Sequence, residues 1–219
     1  MSQENLNITP LPADLTDRFK TWQSNDFEEN RDLYKTLGEG QSPHSMIISC
    51  CDSRVHSMSL FGGESGEFFI HRNIANMVPP YEDDDGQHGT SAAIEFAVNH
   101  LKVSRLIIMG HSSCGGIKGG YDLCQNGENS PIAATTFIHK WVKMVEPAFN
   151  RLDQTKTEDQ QIADLEKTSI MVSMENLMSF PFIRDAVAEK RLTLHALWHD
   201  IGPGQLYEFD PEKGEFAPL

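Results

Sequence analysis

The stretch Met46-Ile47-Ile48-Ser49-Cys50-Cys51-Asp52-Ser53-Arg54 sets the architecture, and Leu106-Ile107-Ile108-Met109-Gly110-His111-Ser112-Ser113-Cys114 repeats its plan. Each is a short apolar run that ends in a polar loop. A run this short and β-branched, stopped by a polar or glycine break, predicts a strand buried on both faces. In open parallel sheets, functional groups collect just beyond the carboxyl ends of such strands. The two loops are therefore expected to meet at one sheet edge and bring Cys50, His111 and Cys114 together. Three such ligands are what a catalytic zinc takes from its protein while keeping a fourth position open.

Between the two runs, residues 91–101 are apolar nearly all round and predict a buried helix capped by Thr90. That helix feeds the strand at 105–109 through a right-handed crossover. Upstream, residues 67–71 read as another strand, followed by Arg72-Asn73-Ile74-Ala75-Asn76. The acid cluster at 82–85 lacks the alternating spacing of a calcium loop and reads as an exposed turn. Downstream, Gly115-Gly116 and Gly119-Gly120 surround a helix start, where small residues admit an anion or simply make a turn. Residues 132–149 and 159–179 predict two long helices, 192–198 a strand, and 205–209 with 215–217 an exposed hairpin. The expected class is α/β, a central, mostly parallel sheet flanked by helices. The chain is read as one domain over 1–219 with a helical arm at 1–40. In that arm, two helical pieces at 15–23 and 26–37, split near Ser24-Asn25, carry too few apolar residues to form a core alone. They are expected to lie on another surface, such as a partner subunit.

Bulk properties limit the function. The 219 residues carry a formal net charge of −14, which argues against nucleic acid or anionic membrane as partner. No run approaches the roughly 18 apolar residues of a membrane helix. The first residues lack the basic and apolar regions of a signal peptide, so a cytoplasmic protein is expected. In such a protein, cysteines are more often ligands, nucleophiles or buried side chains than disulfides. Cys51 and Cys124 read as plain small side chains, and His195 with His199 as structural, since a strand would hold them about 13 Å apart.

Two thiolates offset much of a dication's charge, so water on this metal should be less acidic and activity should need neutral to alkaline pH. Asp52 points toward the same site, and Arg54 has the planar fork that pairs with a carboxylate. An Asp held this way stays ionised and accepts hydrogen bonds. Other readings of the same residues are a surface Asp-x-Arg pair, a structural zinc half-site or a redox pair of Cys50 with Cys51. A closed structural site would want a fourth ligand. Cys51 is badly placed for one, and Cys124 lies beyond helical spacing from Cys114.

Cys50-Cys51-Asp52-Ser53-Arg54-Val55 and Gly110-His111-Ser112-Ser113-Cys114-Gly115-Gly116 resemble the signature of the β-class carbonic anhydrases. The likeness extends through Arg72-Asn73-Ile74-Ala75-Asn76, residues 89–98 and residues 194–201. It implies reversible hydration of carbon dioxide to bicarbonate and a proton, with one zinc per chain on Cys50, His111 and Cys114. It further implies Asp52 and Arg54 as the catalytic dyad. Gln41, Phe69, Ile74, Phe96 and the Gly115 N–H would contact the substrate, and N-terminal helices would clasp the partner of a homodimer or larger assembly. The plant-type subgroup is the nearer one, although Phe96 replaces its usual tyrosine and Ser57 a proline. The bicarbonate-regulated subgroup has tryptophan and tyrosine where Ile47 and His199 stand, so a site with Asp52 paired to Arg54 is expected. The alternatives are a carbonyl sulfide or carbon disulfide hydrolase on the same scaffold, and a non-catalytic zinc-binding regulator.

Overall fold

The structure, a computed structural model, describes residues 8–219. The residues behind the leader expectation, 1–5, lie outside that range. Two units are distinguished, Met1–Gln41 and Ser42–Leu219. In the first, α1 (Ala13–Trp22) does not stop near Ser24-Asn25 as expected but continues as a π-turn through Gln23–Phe27, and α2 (Arg31–Leu37) follows a break at Asn30. The two helices carry a cluster of Phe19, Trp22, Phe27 and Tyr34 rings. These contacts tie the π-turn into the helical run. Within the unit none of the described helical residues is buried.

The second unit is built on a six-stranded sheet of order β2-β1-β3-β4-β5-β6. Its strands are β1 (Ser45–Cys50), β2 (Phe68–Asn73), β3 (Arg105–His111), β4 (Thr193–Asp200), β5 (Gln205–Asp210) and β6 (Glu215–Pro218). The first four run parallel. The last two form an antiparallel extension at one edge. β1 is buried at every position, as a strand covered on both faces must be. After β1 the chain crosses to β2 on one side, and after β3 it crosses to β4 on the other. The crevice between the ends of β1 and β3 is thus the topological switch point, where open α/β sheets place their sites.

Around the sheet lie α3 (Ser57–Leu60), α4 (Gly89–Glu95), α5 (Gly115–Asn126), α6 (Ile138–Val142), α7 (Glu146–Phe149), α8 (Glu158–Leu177) and α9 (Pro181–Ala188). Met46, Ile48, Leu106 and Ile108 join Ile94, Ile170 and Phe180 in the main core. Ile47, Met109 and Leu197 pack with Val55 in a smaller one. A third cluster beneath α5 contains Cys50, Cys114, Ile117, Tyr121 and Leu165.

Several elements differ from expectation. The long helix expected over 132–149 is broken into 3-10 turns, α6 and α7, and Pro147 sits in the first turn of α7. Proline lacks the N–H and crowds the preceding turn, so it starts a helix rather than continuing one. α4 is not buried all round: Thr90, Ile94, Ala97 and Val98 face inward across it and its π-helical continuation, while Phe96 is exposed. Nor does Thr90 cap it. That place belongs to His88, and the Thr90 hydroxyl meets His71 Nε2 at 3.0 Å instead. The C-terminal hairpin is half-buried rather than exposed.

Candidate active site

β1 and β3 pair in parallel with Ser49 level with Met109, so the loops at their ends leave the sheet side by side. The Cys50 and Cys114 sulfurs lie 4.0 Å apart. One ligand atom from each of Cys50, His111 and Cys114 falls within 4.8 Å of the others, and all three residues are buried. His111 Nδ1 donates to the Ser112 carbonyl at 2.9 Å. This leaves the lone pair on Nε2, which is buried without a hydrogen-bond partner among the described residues. Such an orphaned acceptor is costly unless a cation takes it. Two sulfurs on a tetrahedral zinc at about 2.3 Å each would stand a little under 4 Å apart. The donor set fits the metal. The Cys114 S–H holds Cys50 down to about 4, while Cys50 and burial push Cys114 up.

Asp52 and Arg54 form the expected pair. Arg54 Nε meets Asp52 Oδ1 at 2.9 Å and Nη2 meets Oδ2 at 2.7 Å, a two-armed grip. That grip is the main reason the Asp52 carboxyl lies well below the usual carboxylate range. Arg54 Nη2 also reaches the Ser113 carbonyl at 3.0 Å, lashing the first loop to the second.

A family model described as carbonic anhydrase matches residues 45–206. The Arabidopsis thaliana protein named beta carbonic anhydrase 3 is 36% identical over 206 residues, which cover 90% of this chain and 78% of the relative. The chain belongs to the β-carbonic anhydrase family. A second Arabidopsis thaliana relative, the chloroplastic beta carbonic anhydrase 5, is 34% identical, and the match spans 89% of this chain and 64% of that protein. Among solved structures, the β-carbonic anhydrase CcaA superposes with a TM-score of 0.84 at 28% identity, covering 94% of this chain and 90% of that one. A tetrameric β-carbonic anhydrase of Sordaria macrospora superposes with a TM-score of 0.77 at 29% identity, covering 93% and 96%.

The remaining predicted residues of this β-carbonic anhydrase are spread more widely. Gly115 opens α5 beside Cys114, with free space where a Cβ would stand. Ile74 is 38% exposed and lines an apolar groove with Cys51, Asn73, Phe137, Trp141 and Met144. Phe69 packs against Phe96 with ring centroids 5.8 Å apart, and neither lines that groove. Gln41 is exposed at the end of the first unit.

Four residues without a predicted role also hold the site. Arg72 donates to the carbonyls of Cys50, Asp52 and Val55 at 2.8, 2.7 and 2.8 Å, fixing the first loop. Asn73 brackets the turn after β2 through both Met77 backbone groups, at 2.8 and 3.0 Å. In that turn Ala75 and Asn76 adopt left-handed φ of 63° and 48°, at about 1 kcal/mol or more each. The strain delivers the Ala75 N–H to Cys50 Sγ at 3.4 Å. Trp141 Nε1 braces the same turn through the Ile74 carbonyl at 2.7 Å. Glu166 of α8, 4% exposed, accepts the Cys114 N–H at 3.1 Å. Burial pushes its carboxyl up, while the Cys114 amide favours the charged form. Trp198 Nε1 approaches closely enough to favour that charge without closing a hydrogen bond. A signal for one of these was in the sequence: Glu166 is a charged residue inside the otherwise buried period of Leu165, Ser169 and Ile170.

Proposed function

We propose that this chain catalyses the reversible hydration of carbon dioxide to bicarbonate and a proton at one zinc ion held by Cys50, His111 and Cys114. The observation that carries the reading is the convergence of the buried Cys50, His111 and Cys114, whose ligand atoms lie within 4.8 Å of one another with the two sulfurs 4.0 Å apart. A zinc ion held by these three residues would supply Lewis acidity and would make water at the site more acidic. Asp52, kept ionised by Arg54, is the acceptor that orients the attacking water. Arg54 is itself fixed by the Ser113 carbonyl, so Asp52 keeps its aim. The Gly115 N–H, at the positive end of α5, receives an oxygen of the forming anion. Ile74 offers an apolar wall to carbon dioxide, and Gln41, Phe69 and Phe96 keep the substrate-contacting roles that the family resemblance implies.

The reading includes a homodimer or larger assembly, supported by the tetrameric Sordaria macrospora relative and by the exposed apolar groove at Ile74, Phe137 and Trp141. Light scattering giving a monomer would remove that part. It also includes a cytoplasmic location, which four free cysteines suit and cell fractionation would test.

The experiment is stopped-flow hydration of carbon dioxide at about pH 8.5 with zinc content measured alongside. The parent is expected to carry stoichiometric zinc and turn over. Cys50→Ser loses both, and Asp52→Ala keeps zinc but slows by about 100-fold or more. Zinc without hydration would turn attention to carbonyl sulfide, carbon disulfide or a regulatory role. A parent that binds no zinc would overturn the reading.

A further inference from the structure

The second metal loop is held by a side chain that no catalytic step uses. Glu166 comes from α8, on the buried face that also carries Leu165, Ser169 and Ile170. Its carboxylate forms no ion pair among the described residues, although Lys118 lines the same cavity of about 550 Å³. Burying an unpaired carboxylate is expensive, and an apolar side chain would pack better at that position. The carboxylate is nevertheless aimed at the backbone that carries Cys114, whose N–H it accepts at 3.1 Å. The residue before, Ser113, sits at φ 57° in the left-handed region. A left-handed residue there turns successive N–H groups to one side, making a concavity that takes an anion. Here the Glu166 carboxyl oxygen is the acceptor that faces it.

We propose that Glu166 is a positioning residue for the metal centre: its buried carboxylate clamps the left-handed Ser113–Cys114 corner and thereby aims the Cys114 thiolate. The inference rests on the zinc reading above. Cys50 has its own support, since the Ala75 amide approaches its sulfur. Each thiolate is thus set by a separate piece of strained backbone, one braced by Trp141 and one by Glu166.

The test is zinc release from the purified holoenzyme to a chromogenic chelator, for the parent and for Glu166→Ala, Glu166→Gln and Glu166→Asp. Glu166→Ala is expected to lose zinc about 10- to 100-fold more readily, as partners that orient metal ligands generally do. Glu166→Gln keeps an acceptor oxygen in place and should hold zinc nearly as the parent does. Glu166→Asp keeps the charge but withdraws the acceptor, and should loosen zinc while the metal-free protein melts with the parent. Should Glu166→Ala fail to fold, the Gln and Asp pair decides alone. Parent-like zinc retention in the Ala or Asp variant would overturn the proposal. So would a Gln variant as leaky as the Asp one, or variants that melt lower without metal yet bind zinc normally. A parent that holds no zinc would overturn the zinc reading itself, a result distinct from any of these.

Discussion

Arg54 does three things with one side chain, and they predict how its loss would read. It grips both Asp52 oxygens, it accounts for most of the downward shift of that carboxyl, and it crosses to the Ser113 carbonyl. Arg54→Ala should leave the three metal ligands and zinc content intact while slowing hydration by about 100-fold, measured by stopped flow with parallel metal analysis. A variant that turns over like the parent would mean Asp52 needs no holder. Both loop motifs and this pair were legible as residue chemistry. The partners of Arg72, Trp141 and Glu166 were not, because each acts through hydrogen bonds to backbone 17 to 67 residues away, which no local pattern names.

Among the elements, α5 and α8 carry the site, and both have sharp local requirements. Gly120 of α5 lies where a Cβ would stand 2.6 Å from Val145 Cγ2 and 3.0 Å from the Val142 carbonyl. Backbone cannot yield as a flexible side chain can, so Gly120→Ala should destabilise the protein by about 1–3 kcal/mol, read from urea denaturation. The paired glycines are therefore at least partly a packing device, a reading that their spacing alone left open beside anion binding. α8 begins with a capping box, in which the Thr157 hydroxyl accepts the Gln160 N–H and the Gln160 side chain accepts the Thr157 N–H. Thr157→Ala should cost about 1 kcal/mol in the same measurement. Because Glu166 lies on this helix, fraying at its start is also expected to raise hydrogen exchange at the Cys114 amide.

For the whole molecule, pH enters through imidazoles that the fold shields, His71 half-buried and His199 buried. Burial lowers the pKa of His71 below its ordinary 6.5, and burial likewise lowers that of His199. As pH falls through about 6.5 the unfolded chain takes up these protons first, so the folded state loses stability from there downward. Well above about 6.5 both states hold neutral rings and this contribution is flat. Urea denaturation of the parent between about pH 7.5 and 5 should show that loss, and His71→Gln should show a smaller one. An unchanged slope would mean that His71 protonates equally in both states. The proposed oligomer is a question at this scale too, and the apolar groove beside Cys51 and Ile74 is the surface it would use.

Local sequence was enough for the strands β1 and β3, the loops at their ends, the convergence of Cys50, His111 and Cys114, and the Asp52–Arg54 contact. A short apolar run dictates a buried strand, and the residues just past it are the ones that emerge at the sheet edge. Periodicity also placed α8 and the C-terminal hairpin to within a few residues. It took the packed chain to show that the path diverges between β1 and β3, which puts both loops in one crevice. Packing likewise broke residues 132–149 at Pro147, where the backbone N–H is missing, and put Thr90 on His71 instead of on a cap. The aim of Glu166 at Cys114, and of Trp141 at Ile74, is tertiary in the same sense. A hydrogen bond between segments distant along the chain leaves no period in either one, and its direction exists only once both backbones are in place.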